Sequence, residues 1–212
     1  MPKLYFRYGA MGSGKTVNLL VALHQYSLNG KKAILIKPKV DTRKGRRTVW
    51  TRVPGLARDA DIILAQSELL TDAQVSECKG ADCVFVDEAQ FLHPAHVEQL
   101  SQISCYVSVI CYGLRTNFQG RLFSGSKALM EWADCIEEVK NVCKYCKHKS
   151  THNLKVQLSP EDERGGVQLG ADDMYVGVCK QCFYDIRGKQ DLAIQQCKVY
   201  RYPETEVKDP ED

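Results

Sequence analysis

The stretch that governs the fold is Gly9-Ala10-Met11-Gly12-Ser13-Gly14-Lys15-Thr16, which fits Gly-x-x-x-x-Gly-Lys-[Ser/Thr] at every defined position. In such a loop the backbone N–H groups point at phosphate oxygens, the lysine reaches the outer phosphates and the hydroxyl suits magnesium. The β-prone run Leu4–Tyr8 precedes the loop, and Val17, Leu20, Val21 and His24 recur after it at helical spacing. A strand, a glycine loop and a helix N-terminus together form a phosphate site. The stretch predicts a nucleoside triphosphate and leaves the reaction open. We call residues 9–16 the phosphate loop.

Composition limits the class of protein. The chain has 212 residues, enough for one ordinary domain and a small appendage. Hydrophobic content of 44% and charged content of 26% are typical of a soluble globular protein. A net charge of +3 is too small to argue for a nucleic-acid partner by itself. No apolar run is long enough to span a bilayer, and no signal peptide is evident, so we expect a cytoplasmic protein without a membrane partner.

Apolar runs alternate with helical patterns and predict an α/β fold with a parallel sheet. The predicted strands after the first are Lys32–Ile36, Asp61–Ala65, Cys83–Val86, Val107–Tyr112 and, as the last, Asp134–Val142. Asp87 and Glu88 follow Cys83–Val86, and the carboxyl end of a central parallel strand delivers its side chains to the ligand cleft. Asp87 would hold magnesium, while Glu88 would act as a base or orient a nucleophile.

Two loops near these strands have open interpretations. Residues 41–55 are rich in arginine and lysine, which fits either a basic flap over polyphosphate or a solvated surface loop. Phe118, in the polar loop Gly113–Gly120, could stack on a base or anchor the loop. Val49–Arg52 could form a short strand.

Helix signals follow the same logic. Ser67 is predicted to cap a segment that runs through Val75. Pro94 is suited to the first position of a helix whose apolar stripe is Val97, Leu100 and Ile103. His93 and His96, at the start of that helix, are interpreted as surface residues.

The chain has ten cysteines, and four of them form two Cys-x-x-Cys pairs: Cys143 with Cys146, and Cys179 with Cys182. Four thiolates in this arrangement predict a tetrahedral zinc site, and a site with no open position is structural. The 32 residues between the pairs exceed the usual spacing of a compact zinc ribbon. Redox dithiols are the weaker alternative.

The remaining cysteines and the C-terminal region are less informative. Cys83, Cys105, Cys111 and Cys135 are expected to fill the core, and Cys197 has no assigned role. A short helix is predicted at Ile186–Ile194.

The order and spacing of these motifs resemble the type II thymidine kinases, the cytosolic zinc-containing class, from Leu4 to about Tyr184. The resemblance is carried by the phosphate loop, Asp41-Thr42-Arg43, Asp87-Glu88-Ala89-Gln90-Phe91, Tyr112-Gly113-Leu114-Arg115-Thr116 with Phe118, Val167–Gly170, Tyr175 and both cysteine pairs.

The resemblance implies transfer of the γ-phosphoryl group of ATP to the 5′-hydroxyl of thymidine. Glu88 would be the catalytic base, and magnesium would be held by Thr16 and Asp87. The implied ATP-binding residues are Gly9, Ala10, Met11, Gly12, Ser13, Gly14, Lys15, Thr16, Asp41, Thr42, Arg43, Asp87 and Gln90. The implied thymidine-binding residues are Phe118, Tyr175 and the lasso-loop residues Val167, Gln168, Leu169 and Gly170. The implied zinc ligands are Cys143, Cys146, Cys179 and Cys182.

The resemblance also implies an organisation. Residues 1–142 would form a P-loop NTPase (RecA-like) nucleotide-binding domain, 143–190 a zinc-binding lasso domain, and 191–212 a polar, disordered tail. A homotetramer inhibited by dTTP, with no nucleic-acid partner, is expected. Two other classes remain to be weighed: an ATPase motor of the helicase type, and a zinc ribbon that binds nucleic acid.

Overall fold

The computed structural model describes residues 1–41, 47–51, 53–156 and 174–199, with only the backbone at 191–199. The predictions for Thr42, Arg43 and Val167–Gly170 lie outside these residues, as do residues 200–212.

Ten strands are present in the described residues. They are β1 (Leu4–Tyr8), β2 (Ala33–Pro38), β3 (Thr48–Trp50), β4 (Ala57–Asp59), β5 (Ile62–Leu64), β6 (Cys83–Val86), β7 (Val109–Gly113), β8 (Cys135–Glu138), β9 (His152–Lys155) and β10 (Tyr175–Val178). Six of them form one parallel sheet in the order β5-β2-β6-β7-β1-β8. This confirms the predicted α/β fold, in which strands buried on both faces read as continuous apolar runs.

Five helices accompany the strands: α1 (Lys15–Leu28), α2 (Asp72–Lys79), α3 (Pro94–Ile103), α4 (Ser124–Trp132) and α5 (Lys180–Val199), with a 3-10 turn at Ala89–Phe91. Helix α1 and β3 cover one face of the sheet, where Leu35, Phe85 and Tyr112 are buried. Helices α3 and α4 cover the other face. The sheet therefore lies between two apolar layers, and its carboxyl edge stays open.

Helix α1 buries only Leu20 of the stripe that its sequence spacing indicates. Leu19, Leu20 and Leu23 pack on the sheet, whereas Val21 is 43% exposed. The sequence of α1 offers two apolar stripes, and periodicity alone does not choose between them.

Helix α2 begins later than predicted, because Thr71 rather than Ser67 is its N-cap. The Thr71 hydroxyl accepts from the N–H of Gln74, and the Gln74 side chain accepts from the N–H of Thr71. This reciprocal capping box satisfies the N–H groups of Thr71 and Gln74, which a cap at Ser67 would leave unpaired.

Helix α3 begins at Pro94 and buries Val97, Leu100 and Ile103, as predicted. The surface assignment of His96 is wrong: its side chain is buried, with Nε2 2.9 Å from the Glu68 carbonyl oxygen. Its Nδ1 accepts from the N–H of His93, so this histidine caps the helix.

Two short antiparallel hairpins supplement the sheet. Strand β3 pairs with β4, which the sequence did not predict, and β9 pairs with β10 beyond the strand predicted to be last. Helix α5 starts at Lys180 and continues past residue 190 to Val199, a longer element than the helix predicted at Ile186–Ile194. None of the described helices is long and apolar enough to cross a membrane.

Candidate active site

The phosphate loop connects β1 to α1 at the carboxyl edge of the sheet. Gly12 and Gly14 have φ angles of 73° and 79°, a left-handed conformation that glycine adopts without a Cβ clash. Gly14 is also the N-cap of α1 and contributes no side chain to cap it. The first N–H groups of the helix, which have no partner within the helix itself, are therefore suited to an anion.

Lys15 lies along the phosphate loop. Its Nζ is 3.1 Å from the Gly9 carbonyl oxygen, 3.0 Å from that of Ala10 and 3.3 Å from Ser13 Oγ. These contacts hold the ammonium group at the site where a polyphosphate would carry its charge.

Two acids follow β6, the strand between β2 and β7. The Thr16 hydroxyl lies 3.4 Å and 3.5 Å from the two carboxylate oxygens of Asp87, which is buried. These separations exceed an ordinary O–H···O hydrogen bond. A hydroxyl and a carboxylate that converge in this way are hard oxygen donors of the kind that magnesium prefers.

Glu88 has the one positive φ angle, 51°, among the non-glycine residues that the structure describes. A left-handed conformation costs a side-chain-bearing residue about 1–3 kcal/mol, and such strain concentrates at functional sites. Glu88 lines the cleft, and its carboxylate accepts a hydrogen bond from the Gln90 side chain.

A single cleft of about 630 Å³ brings together most of the described residues that were predicted to bind ATP or thymidine or to act as the base. Its lining includes Met11–Thr16 of the phosphate loop, Asp41, Asp87, Glu88 and Tyr175. Strand β3 lines another part of this cleft with Thr48, Val49 and Trp50.

Gln90 occupies a different position, behind the acids. It is almost fully buried, and its Oε1 accepts from the N–H of Leu114 at 2.9 Å. Because its Nε2 donates to Glu88, Gln90 links the acid after β6 to the loop after β7. The structure thus places Gln90 where it orients Glu88.

Asp41 lies at the carboxyl end of β2 and is buried. Its carboxylate is 3.4 Å from Nζ of Lys37, a lysine that is 1% exposed. Lys37 also donates to the Thr48 carbonyl oxygen at 3.1 Å. Sequence reasoning missed Lys37, because a lysine at the end of an apolar strand reads as its solvated terminus.

Phe118 and Tyr175 meet although 57 positions separate them in the sequence. Their ring centroids are 6.0 Å apart, and Phe118 is buried. The ammonium group of Lys155 lies 5.9 Å from the centroid of the Phe118 ring. Tyr175 lines the cleft and Phe118 does not, so the Tyr175 ring is the one of the two that the cleft offers to a planar base.

The four predicted zinc ligands converge, with all their sulfur atoms within 4.8 Å of one another. The Cys146 sulfur lies 3.6 Å from that of Cys179 and 3.8 Å from that of Cys182. Tetrahedral zinc with Zn–S bonds of about 2.3 Å places its sulfurs roughly 3.8 Å apart, so the cluster fits zinc.

The chemistry of one ligand agrees with this geometry. Burial opposes ionisation of Cys143, yet hydrogen bonds from the backbone at Cys179 and Tyr145 lower its pKa to about 6. A thiolate is the form that binds metal.

Among the cysteines that were expected to fill the core, Cys105 is exposed, whereas Cys83 and Cys111 are buried as predicted.

The family model and the sequence relatives agree on one family. The family model described as thymidine kinase matches residues 2–183. The thymidine kinase of Lactobacillus johnsonii (strain CNCM I-12250 / La1 / NCC 533) is 40% identical over 192 residues, 85% of this chain and 95% of that protein. The thymidine kinase of Xanthomonas axonopodis pv. citri (strain 306) is 40% identical over 88% of this chain and 91% of its own. A solved structure of a DNA replication initiation factor is similar over 65% of this chain and 40% of that chain, at 17% identity and a TM-score of 0.38, too low to carry an argument.

Proposed function

The chain belongs to the thymidine kinase family and phosphorylates thymidine, and we propose that its described residues divide the cleft into a donor side for ATP and an acceptor side for thymidine. The product would be dTMP, formed when the γ-phosphoryl group moves to the 5′-hydroxyl. The supporting observation is the one cleft that the phosphate loop, both acids and Tyr175 share.

On the donor side, the phosphate loop binds the ATP phosphates through its backbone N–H groups and Lys15. Asp41, Thr42 and Arg43 extend this contact toward the nucleotide. Asp41 is supported by its place in the cleft lining. Thr16 and Asp87 would hold magnesium, and a bound magnesium ion neutralises charge on the phosphate oxygens.

On the acceptor side, Glu88 takes the proton of the thymidine 5′-hydroxyl. A carboxylate needs only hydrogen-bond reach to that hydroxyl. Gln90 orients Glu88 from behind. Phe118 and Tyr175 hold the base, and the lasso residues Val167–Gly170 close over it. Water is excluded from the cleft in this way, so that it does not compete for the phosphoryl group.

The four cysteines hold a structural zinc ion. With four protein ligands the metal has no position for substrate, so its contribution is to fold and anchor the hairpin. We propose domain limits at 1–142, 143–190 and 191–212, and α5 crosses the last of these limits because it continues to Val199. We also propose a cytoplasmic homotetramer that dTTP inhibits, on family resemblance alone.

A substrate panel tests this function. Each deoxynucleoside is incubated with ATP and magnesium, and nucleoside monophosphate is quantified. We expect dTMP formation that depends on thymidine and matches ADP release. ATP turnover that DNA stimulates and thymidine leaves unchanged would instead indicate the helicase-type motor.

A further inference from the structure

Asn153 of β9 connects three parts of the molecule that are distant in sequence. Its Oδ1 accepts from the N–H of Met11 in the phosphate loop at 2.8 Å. Its Nδ2 donates to the carbonyl oxygen of Thr116, in the loop after β7, at 2.7 Å. An N–H can only donate and a carbonyl can only accept, so these partners determine the orientation of the amide. The side chain is 4% exposed.

The residue opposite Asn153 on the neighbouring strand makes a second contact with the phosphate loop. Gly177 of β10 pairs with Asn153 in the hairpin register. A Cβ at Gly177 would lie 2.7 Å from the Met11 carbonyl oxygen and 2.6 Å from Ser150 Oγ. Since real Cβ contacts essentially never fall below about 3 Å, only glycine permits this approach.

This cross-strand pair therefore approaches the Met11 backbone at both polar groups, while the carbonyl oxygen accepts its hydrogen bond from Asn141 Nδ2 at 3.5 Å. Asn153 binds the N–H of Met11, and Gly177 brings strand backbone against its carbonyl oxygen. The zinc ligand Cys179 lies two positions beyond Gly177 on the same segment. Because β9 and β10 are only four residues each, their pairing depends on the cluster at their base.

We infer that Asn153 is a positioning residue that holds the phosphate loop and the loop after β7 in fixed positions relative to each other. Through this residue the zinc-bearing hairpin sets the affinity for ATP. This inference rests on the proposed function, which assigns the phosphate loop to ATP. The same residue also positions the loop after β7, because Phe118 lies two residues after Thr116 in that loop. By anchoring the hairpin, zinc then affects the position of both the phosphate loop and the loop after β7.

The experiment uses full-length, zinc-loaded protein and measures ATP and ADP dissociation constants by calorimetry without thymidine. Asn153→Ala removes both hydrogen bonds and leaves the N–H of Met11 without its partner. We expect nucleotide binding to weaken roughly ten-fold, the usual effect of orphaning one buried polar group. Zinc content should remain that of the wild type.

The matched control is Gln190→Ala. Gln190 is another amide that holds β9, through the carbonyl oxygens of Lys155 and Val156 at 3.1 Å and 2.8 Å, and it makes neither of these bonds to the phosphate loop. The nucleotide affinity of Gln190→Ala should stay within roughly two-fold of the wild type, because no hydrogen bond to the phosphate loop is lost.

Two further measurements keep the inference falsifiable if Asn153→Ala does not fold. Gly177→Ala should weaken nucleotide binding by pressing on Met11 from the other strand. Chelation of zinc should weaken nucleotide binding in the wild type, because the hairpin that carries Asn153 then loses its anchor. Wild-type affinity in zinc-loaded Asn153→Ala or Gly177→Ala would overturn the inference, as would equal weakening in Gln190→Ala or unchanged binding after chelation. A wild type that binds ATP but makes no dTMP would refute the proposed function and leave this inference standing.

Discussion

At the scale of single residues, Glu88 combines an unusual backbone conformation with a place in the cleft lining. Its positive φ angle turns the chain directly after β6 and starts the Ala89–Phe91 turn. The side chain then faces the cleft while Gln90 holds its carboxylate. Strain at this residue is therefore coupled to the orientation of the proposed base.

Glu88→Gln should remove the base and keep the contact, because a Gln oxygen still accepts from Gln90. We expect kcat to fall by a factor of roughly 10²–10⁴, the usual contribution of general base catalysis. ATP affinity and the melting temperature should be near those of the wild type. Steady-state kinetics and calorimetry measure these quantities, and activity within a few-fold of the wild type would show that Glu88 is not the base.

Lys37→Met tests the buried ion pair. Because it removes the ammonium group beside the buried Asp41 carboxylate, we expect a loss of about 3–5 kcal/mol in the free energy of unfolding. Lys37→Met with Asp41→Asn should recover part of that loss, since the charge is removed as well. Urea titration measures both variants, and a single variant within about 1 kcal/mol of the wild type would contradict a contribution from the pair.

At the scale of elements, the α3 cap responds to pH. Burial lowers the pKa of His96, the neighbouring His93 lowers it further, and the bond to the Glu68 carbonyl oxygen partly opposes them. Unfolded His96 would bind a proton near its ordinary pKa of about 6.5, whereas the folded residue binds one only at lower pH. The stabilising contribution is complete above that value and is lost as pH falls through the folded pKa. Protonation of Nδ1 would also break its bond from the His93 N–H.

His96→Gln removes this titration and keeps a residue that can complete a capping box. The unfolding free energies of variant and wild type are compared at pH 7.5 and pH 5. We expect any advantage of the wild type to shrink at the lower pH. An advantage that grows on acidification would contradict a depressed pKa.

The elements also show what local sequence can predict. Strands such as Cys83–Val86 were predictable because burial on both faces requires consecutive apolar residues. Strands β4 and β9 were missed, since their polar residues have no such pattern. The phosphate loop and the cysteine pairs were predictable, because the spacing of their residues along the sequence is itself typical of phosphate binding and of zinc binding. Asn153 is not part of any recognisable motif. Its role arises from a contact with Met11, 142 positions away, which no local pattern encodes.

At the scale of the whole molecule, two cores of unequal strength support one cleft. The sheet has extensive apolar layers on both faces, whereas the zinc hairpin has a small buried cluster of Cys143, Leu154, Val178, Cys179 and Phe183. Two of these five residues, Cys143 and Cys179, belong to the four-cysteine cluster that fits zinc. So few apolar contacts do not offset the entropy of ordering the segment, and metal binding must supply the difference.

Loss of zinc should therefore unfold the hairpin and leave the sheet intact. In Cys143→Ser, or after chelation of the wild type, we expect trypsin to cut rapidly at Lys144, Lys147 and Lys149, and hydrogen exchange to accelerate in β9 and β10. Exchange in β1, β6 and β7 should stay slow, because their layers contain no ligand. Cys105→Ser, a change at an exposed cysteine far from the cluster in sequence, is the matched control and should retain zinc and protection. Full zinc occupancy and an unchanged cleavage pattern in Cys143→Ser would show that the four sulfurs do not act as one site.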